Sequence, residues 1–154
     1  MPKSCFLFGH SDTPYSICPM LEQAIEQAVA EGITHFYVGY HGSFDHMASA
    51  ALRTVKRRHP EISLVRLLAY HPSHSPVPVS QEFDGTLYPE GMEQVPQRLA
   101  IIKANQYMLC KADAVICYAS PIGNAGRLLE YAKHQNQLRP LMITNLWKKT
   151  PPPL

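Results

Sequence analysis

The sequence lacks a long apolar run, a marked excess of charge of either sign and any internal repeat. Its 14 basic and 12 acidic residues leave a formal net charge of +2, which is too little for a nucleic-acid surface. No apolar run reaches the roughly 18 residues of a membrane-spanning helix, and the amino terminus lacks the layout of a signal peptide. We therefore expect no nucleic-acid partner, no membrane partner and a cytoplasmic location.

Cysteine pairs and metal-binding clusters are also missing. None of the four cysteines, Cys5, Cys18, Cys110 and Cys117, belongs to a C-x-x-C motif, and we interpret them as reduced thiols in or near the core. The eight histidines are scattered, without cysteine or carboxylate partners at zinc-site spacing. We expect neither a metal nor a cofactor.

What the sequence does contain is an alternation of strand-like and helix-like segments. Apolar runs predict five strands, at residues 3–8, 34–40, 62–70, 113–118 and 140–144. Amphipathic stretches between them predict four helices, at residues 20–31, 45–59, 97–111 and 124–135. This order indicates an α/β fold with a five-stranded parallel sheet. We predict a single domain over residues 1–147, an irregular stretch over 71–91 and a proline-rich tail over 148–154.

Three segments that leave predicted strands combine glycine with small polar residues, at 9–12, 39–43 and 120–124. Ligands of parallel sheets bind beyond the carboxyl ends of the strands, where these segments meet. The candidate ligand-binding residues are Gly9, Ser11, Asp12, Gly42, Ser43, Gly123 and Asn124. Polar residues here have two interpretations: Ser11 and Asp12 either contact a ligand or cap a turn, and Ser43 either holds phosphate or caps a helix.

The most informative stretch is residues 112–132, which combines a buried strand, a turn of small residues and a helix. Gly123 and Gly126 remove Cβ atoms where a ligand or another backbone comes close. The first N–H groups of the following helix have no intrahelical partner and suit an anion such as phosphate. Arg127 is a bidentate phosphate ligand candidate. Glu130 is either a catalytic carboxylate or a solvated partner of Lys133 or His134.

Residues 123–130 resemble the glycine loop of the SLOG superfamily, whose Lonely-guy enzymes carry the motif G-G-x-G-T-x-x-E. The first glycine, the third glycine and the glutamate fall at Gly123, Gly126 and Glu130. Residues 108–116 match the lead-in M-x-x-x-[SA]-D-x-x-I of this superfamily. The chain looks closest to small bacterial proteins of the YpsA type. The resemblance implies a Rossmann-like three-layer sandwich, a nucleotide or nucleotide-derived ligand and a possible homodimer.

The departures from the motif bear on activity. Lonely-guy enzymes pair an arginine with the loop glutamate to cleave an N-glycosidic bond, and here that arginine is replaced by Ala104. The neighbouring Asn105 keeps its position, and Arg98 or Arg127 is a substitute for the missing cation. The sequence therefore predicts a nucleotide-binding module with a sensor or regulatory role. The alternatives are an N-glycosidic hydrolase or transferase that uses Glu130, and a homo-oligomeric interaction scaffold.

Overall fold

The computed structural model describes residues 3–75 and 82–149, which alternate between strands and helices. Its strands are β1 (Lys3–Gly9), β2 (Ile33–Val38), β3 (Ser63–Leu67), β4 (Gly85–Leu87), β5 (Ala114–Tyr118) and β6 (Met142–Asn145). Its helices are α1 (Cys18–Ala30), α2 (Gly42–Arg58), α3 (Ala100–Lys111) and α4 (Gly123–Leu138). Short 3-10 turns precede α1 and α3 and follow β6.

The strands form one parallel sheet in the order β4-β3-β2-β1-β5-β6. The chain builds outward from β1 to β4 on one side and then returns to the other side with β5. The direction of winding therefore reverses between β1 and β5, and this is the place where sheets of this type bind ligands. The predicted α/β fold class is confirmed, and the architecture is Rossmann-like.

The sheet has six strands, so the predicted number of five is wrong. The additional strand β4 lies inside the stretch that we predicted to be irregular, and it pairs in parallel with β3. It has three residues, two of them exposed, so it carries neither an apolar run nor an alternating pattern. Residues 76–81 of the same stretch lie outside the described residues.

Two hydrophobic clusters pack the helices onto opposite faces of the sheet. Helices α1 and α2 bury one apolar stripe each against the first face, with Leu21, Ile25 and Leu52 fully enclosed. Helices α3 and α4 cover the second face, where Met108 and Ala132 pack against Val115 of β5. Strand β5 is buried on both sides, as its continuous apolar run predicted. The three layers hold the strand ends at a common edge.

Two helix boundaries differ from the predicted ones in ways that matter for this edge. Helix α2 begins at Gly42 rather than at residue 45, so Asp45 lies in its first turn. Helix α4 begins at Gly123 and ends at Leu138, one residue earlier and three later than predicted. The predicted extent of the domain stays a prediction, and residues 150–154 of the predicted tail lie outside the described residues. Across residues 3–75 and 82–149, no helix combines the length and the apolar character needed to cross a membrane.

Candidate functional site

A cavity of about 390 Å³ lies at the carboxyl ends of the strands, beside the reversal between β1 and β5. The segments after β1 and β2, the end of β3, and helices α3 and α4 form its walls. Six of the predicted ligand-binding residues line it: Gly9, Ser11, Gly42, Asn105, Gly123 and Asn124. We call it the strand-end cavity.

One end of the strand-end cavity is the start of α4. Gly123 has a φ of 78°, a left-handed conformation that favours glycine, and it directs the chain into the helix. Asn124 does not adopt this conformation, since every described residue with positive φ is a glycine. No side chain caps the amino terminus of α4. The first amides of α4 are thus available to a ligand in the cavity.

His10 completes this end of the strand-end cavity. Its Nε2 lies 2.9 Å from the backbone nitrogen of Ser120 and 2.9 Å from Ser120 Oγ. Because a backbone N–H only donates, Nε2 accepts that bond and the ring proton belongs on Nδ1. A Cβ built on Gly123 would lie 3.9 Å from His10 Nδ1, so the two residues are adjacent. His10 therefore adds a side-chain donor next to the α4 amides.

Close packing explains two other glycines of the strand-end cavity. A Cβ on Gly9 would lie 2.6 Å from Cδ2 of Phe44, a fully buried residue of α2. Gly42 has a φ of 90°, and a Cβ there would lie 2.6 Å from the Cα of Ser11. Both glycines let the exits of β1 and β2 touch, so they shape the cavity through packing.

The other end of the strand-end cavity contains a carboxyl group. Among the described residues that line the cavity, Asp45 is the only one with a carboxylate. Its Oδ2 accepts a 2.9 Å hydrogen bond from the backbone N–H of His41, and no donor among the described residues reaches its Oδ1. Burial raises the pKa of Asp45 to about 7, although the His41 N–H and the Arg66 charge act in the opposite direction. This carboxyl changes its protonation state near neutral pH.

The imidazole of His41, whose backbone N–H binds this carboxyl, also lines the cavity. Its Nε2 is buried and has no hydrogen-bond partner among the described residues. Desolvation lowers the pKa of His41, so the neutral ring is favoured. A buried polar atom without a partner is costly, which makes His41 a natural contact for a ligand in the cavity.

Arg66 of β3 fixes the backbone around Asp45. Its guanidinium donates to the carbonyl of Gly39 at 2.6 Å and to Ser49 Oγ at 2.7 Å. The Ser49 hydroxyl donates in turn to the Asp45 carbonyl at 2.7 Å. Burial lowers the pKa of Arg66, with the Asp45 charge acting in the opposite direction. Arg66 is absent from the lining of the cavity, so its role is to hold the wall in place.

Several predicted residues of the glycine loop do not line the strand-end cavity. Gly126 packs inside the turn, where a Cβ would lie 2.6 Å from the carbonyl oxygen of Ser120. Arg127 is exposed and donates to Asn124 Oδ1 at 3.0 Å. The Glu130 side chain is 71% exposed and pairs with Lys133 at 3.2 Å. The structure therefore separates the predicted catalytic carboxylate from the cavity.

Three further predicted residues also lie outside the cavity lining. Ser43 donates from Oγ to the carbonyl of Thr13 at 2.8 Å, and its N–H donates to the carbonyl of Ser11 at 2.9 Å. These bonds join the first two strand exits. Asp12 is exposed. Arg98 is exposed in the 3-10 turn before α3, so it does not replace the missing arginine in the strand-end cavity.

The sequence analysis did not include His10, His41 and Asp45 among the candidate ligand-binding residues. His10 and His41 belong to the glycine-bearing segments 9–12 and 39–43, and Asp45 lies two residues beyond the second segment, in the first turn of α2. Asp45 in a first helical turn has an ordinary explanation in the helix dipole, and that explanation hid its position in the cavity. Its carboxyl lies against Gly39 and His41 and close enough to Arg66 to feel its charge, and Arg66 is distant in sequence.

The available side chains limit which ligands suit the strand-end cavity. None of the described residues that line it is a lysine or an arginine. In the part of the chain that the structure describes, no group of three or more His, Cys, Asp or Glu residues is arranged to hold a metal ion. Polar recognition in the cavity relies on backbone amides, two imidazoles, two asparagines, Ser11 and the Asp45 carboxyl.

The fold and the cavity define the chain as a Rossmann-like α/β domain with a polar cavity at its topological switch point. No protein-family model matches the sequence, and no curated protein is significantly similar to it.

Proposed function

We propose that the strand-end cavity binds a nucleotide or a nucleotide-derived ligand, and that this binding serves a sensor or regulatory role. The observation that carries the proposal is the pairing of His10 with the uncapped start of α4 at one end of a cavity whose other end holds Asp45. The cavity lies at the reversal of strand order, where sheets of this type receive nucleotides.

The α4 end of the cavity suits a phosphate group. Free N–H groups and the positive end of the helix dipole attract an anion, and Gly123 lets the anion approach the backbone closely. His10 supplies a directed N–H beside these amides. Because a lysine or arginine is missing from the described lining, we expect moderate affinity for phosphate itself and a need for further contacts.

The Asp45 end suits the sugar. Carboxylates that follow the second strand of dinucleotide-binding folds accept hydrogen bonds from ribose hydroxyls. Ribose hydroxyls both donate and accept hydrogen bonds, so they suit the unpartnered Asp45 Oδ1 in either protonation state, and they can donate to His41 Nε2 when that nitrogen carries no proton. A cavity of about 390 Å³ lies within the usual range for small-molecule sites, which is about 300–1,000 Å³.

A thermal-shift panel of AMP, ADP-ribose, NAD and cyclic nucleotides tests the proposal. A ligand at about 100 times its Kd stabilises the folded state by ~2.7 kcal/mol and raises the Tm by several degrees. We expect His10→Ala to weaken that shift and His134→Ala, an exposed histidine of α4 outside the cavity, to leave it unchanged. Equal shifts for both variants, or no shift with any nucleotide, would refute the proposal.

A second candidate function is cleavage or transfer of an N-glycosidic bond. The observation that favours it is Asp45, whose raised pKa suits a general acid that protonates a departing base. Its position makes it a better candidate than the exposed Glu130. Incubation with nucleoside monophosphates, followed by chromatography for free base, tests the activity. We expect Asp45→Asn to abolish base release and Glu130→Gln to retain it, and no release by the wild type removes this candidate.

Membership of the SLOG superfamily and a cytoplasmic location belong to the same proposal. The glycines at 123 and 126 and the reversal of strand order support the membership. The four free cysteines support a reducing compartment.

A further inference from the structure

A second, larger cavity of about 820 Å³ lies at the same edge of the sheet, beside the ends of β3 and β4. The segment after β3, the segment after β4 and the approach to α3 form its walls. Two tyrosines and two histidines line it, and we call it the aromatic cavity: Tyr70, His71, His74 and Tyr88. Its lining also includes three buried apolar residues, Ala69, Met92 and Ala100. The proposed nucleotide site uses none of these aromatic rings.

The paired exits of β3 and β4 hold the two tyrosines at one edge. The backbone N–H of Leu68 donates to the carbonyl of Leu87 at 2.8 Å, so the two chains stay side by side at the end of β3. Tyr88 follows Leu87 directly, and Tyr70 lies two residues after Leu68. The backbone therefore fixes where both rings enter the cavity before any ligand binds.

The rings of the aromatic cavity stand at steep angles to one another. The His71 ring lies at 86° to the Tyr88 ring, with 5.4 Å between the ring centroids, and at 65° to the His74 ring, with 6.0 Å between the centroids. The N–H of His74 donates to the carbonyl of His71 at 2.9 Å, so a tight turn brings the two imidazoles together. Rings at such angles form the sides of a corner, and a compact group in that corner contacts more than one ring.

The charges at the aromatic cavity favour a positive ligand. The backbone N–H of Ser73 donates to Nδ1 of His71 at 3.1 Å, and because a backbone N–H only donates, this Nδ1 carries no proton and the His71 ring is neutral. Glu93 contributes a carboxylate at an exposed position, and none of the described lining residues is a lysine or an arginine. A cation there meets an attractive charge together with electron-rich ring faces.

We propose that the aromatic cavity binds a small organic cation whose positive nitrogen carries alkyl groups, such as a quaternary ammonium. The faces of the tyrosine rings attract the positive charge, and the buried apolar residues of the lining accept the alkyl groups. A metal ion lacks this match, because no group of three or more His, Cys, Asp or Glu residues in the described ranges is arranged to hold one. The volume of about 820 Å³ leaves room for the rest of the molecule beside its ammonium group.

A comparison of choline with 3,3-dimethyl-1-butanol tests the proposal. The second compound has the shape of choline, with a neutral carbon in place of the charged nitrogen, so the pair isolates the effect of the charge. Titrations followed by protein NMR chemical shifts measure both dissociation constants. We expect choline to bind about five- to thirtyfold more tightly than the neutral compound, which corresponds to ~1–2 kcal/mol for a cation–π contact.

Substitutions in the lining locate the contact. Tyr88→Leu should remove most of the preference for choline, and Tyr88→Phe, which keeps the ring, should retain it. Glu93→Gln should weaken choline binding about two- to fivefold, the effect of one exposed charge. The matched control is Glu90→Gln, which changes an exposed carboxylate outside the described lining and should leave choline binding unchanged. If Tyr88→Leu fails to fold, the two glutamate variants still decide.

Three results would overturn the proposal: no saturable binding of choline by the wild type up to about 10 mM, equal affinities for choline and the neutral compound, or choline binding that survives unchanged in both Tyr88→Leu and Glu93→Gln. The nucleotide proposal for the strand-end cavity is independent of these results, because the thermal-shift panel tests it with different ligands and different variants.

Discussion

The substitution Asp45→Asn tests the unusual protonation of the strand-end cavity. Asparagine has nearly the shape of aspartate, and its side-chain oxygen can accept the same hydrogen bond from the His41 N–H. The substitution therefore removes the titration and keeps the local contact. The difference in unfolding free energy between the two proteins reports on the Asp45 proton, because every other titrating group is common to both.

The sign of the effect follows from the direction of the pKa change. The ordinary pKa of the aspartate side chain is 3.8, and Asp45 in the folded protein has a pKa of about 7. Between these pH values the folded state binds the Asp45 proton and the unfolded chain releases it, so wild-type stability falls as the pH rises. At ~1.4 kcal/mol per pH unit, this amounts to an upper bound of ~4 kcal/mol at pH 8. It is an upper bound because Asp45 is partly exposed, so solvent screens its charge.

Urea denaturation from pH 4 to pH 8 measures this difference directly. We expect the stability advantage of Asp45→Asn to grow from less than ~1 kcal/mol at pH 4 to as much as ~4 kcal/mol at pH 8. Asp12→Asn, which changes an exposed carboxyl at the same edge of the sheet, provides the control and should show no such trend. An advantage for Asp45→Asn that stays constant across the range would falsify the reasoning, because Asp45 would then not retain its proton.

Three other predictions follow from local geometry. Gly126→Ala should lower the free energy of unfolding by ~1–3 kcal/mol in urea denaturation, because the new Cβ would lie 2.6 Å from the carbonyl oxygen of Ser120. Gly85→Ala is the control, because the space around Gly85 is open, and equal losses of stability in the two variants would contradict the prediction. In the native protein, the exposed Cys110 should react with a thiol reagent and Cys117 should not, because Cys117 is buried and burial raises its pKa to about 12. Mass spectrometry before and after unfolding measures the labelling of each cysteine, and labelling of Cys117 in the native protein would contradict the prediction. Glu130→Gln should leave nucleotide affinity unchanged in calorimetry, because Glu130 lies outside the cavity. A loss of about tenfold in affinity would show that Glu130 does contact the ligand.

The strongly periodic parts of the fold could be predicted from the sequence. The run over β5 is apolar on both faces, and the helices α1 and α2 carry clear apolar stripes, so local patterning alone determines their type. Strand β4 could not be predicted, because its three residues are mostly exposed and are held by pairing with β3. That pairing is a tertiary contact with no local pattern.

The candidate site, like the fold, has parts that the sequence indicates and parts that it does not. Glycines at strand exits indicated the edge, and Gly123 and Asn124 indicated the helix start, since both signals are local. Motif spacing placed Glu130 near the ligand, yet the side chain at this position of α4 points to solvent and pairs with Lys133. Spacing along a helix fixes which residues share a face, and the packing of that helix decides which face meets the cavity.

The proton on Asp45 and an anionic ligand are linked through the same cavity. A phosphate at the α4 end adds negative charge to a space whose described lining has no lysine or arginine. The added charge disfavours the Asp45 carboxylate and raises its pKa above the value of about 7 in the free protein. Binding of AMP at pH 7.5 should therefore take up protons, and AMP affinity should fall as the pH rises through 7.

Calorimetry of AMP binding in two buffers with different ionisation enthalpies measures the number of protons exchanged. We expect an uptake of up to about one proton by the wild type, from the linkage between charge and pKa. The imidazoles of His10 and His41 also line the cavity, so the comparison with Asp45→Asn is essential. The part of the uptake that disappears in this variant belongs to Asp45. Proton release on binding, or an uptake that the substitution leaves unchanged, would mean that Asp45 and the anion do not share one low-dielectric cavity.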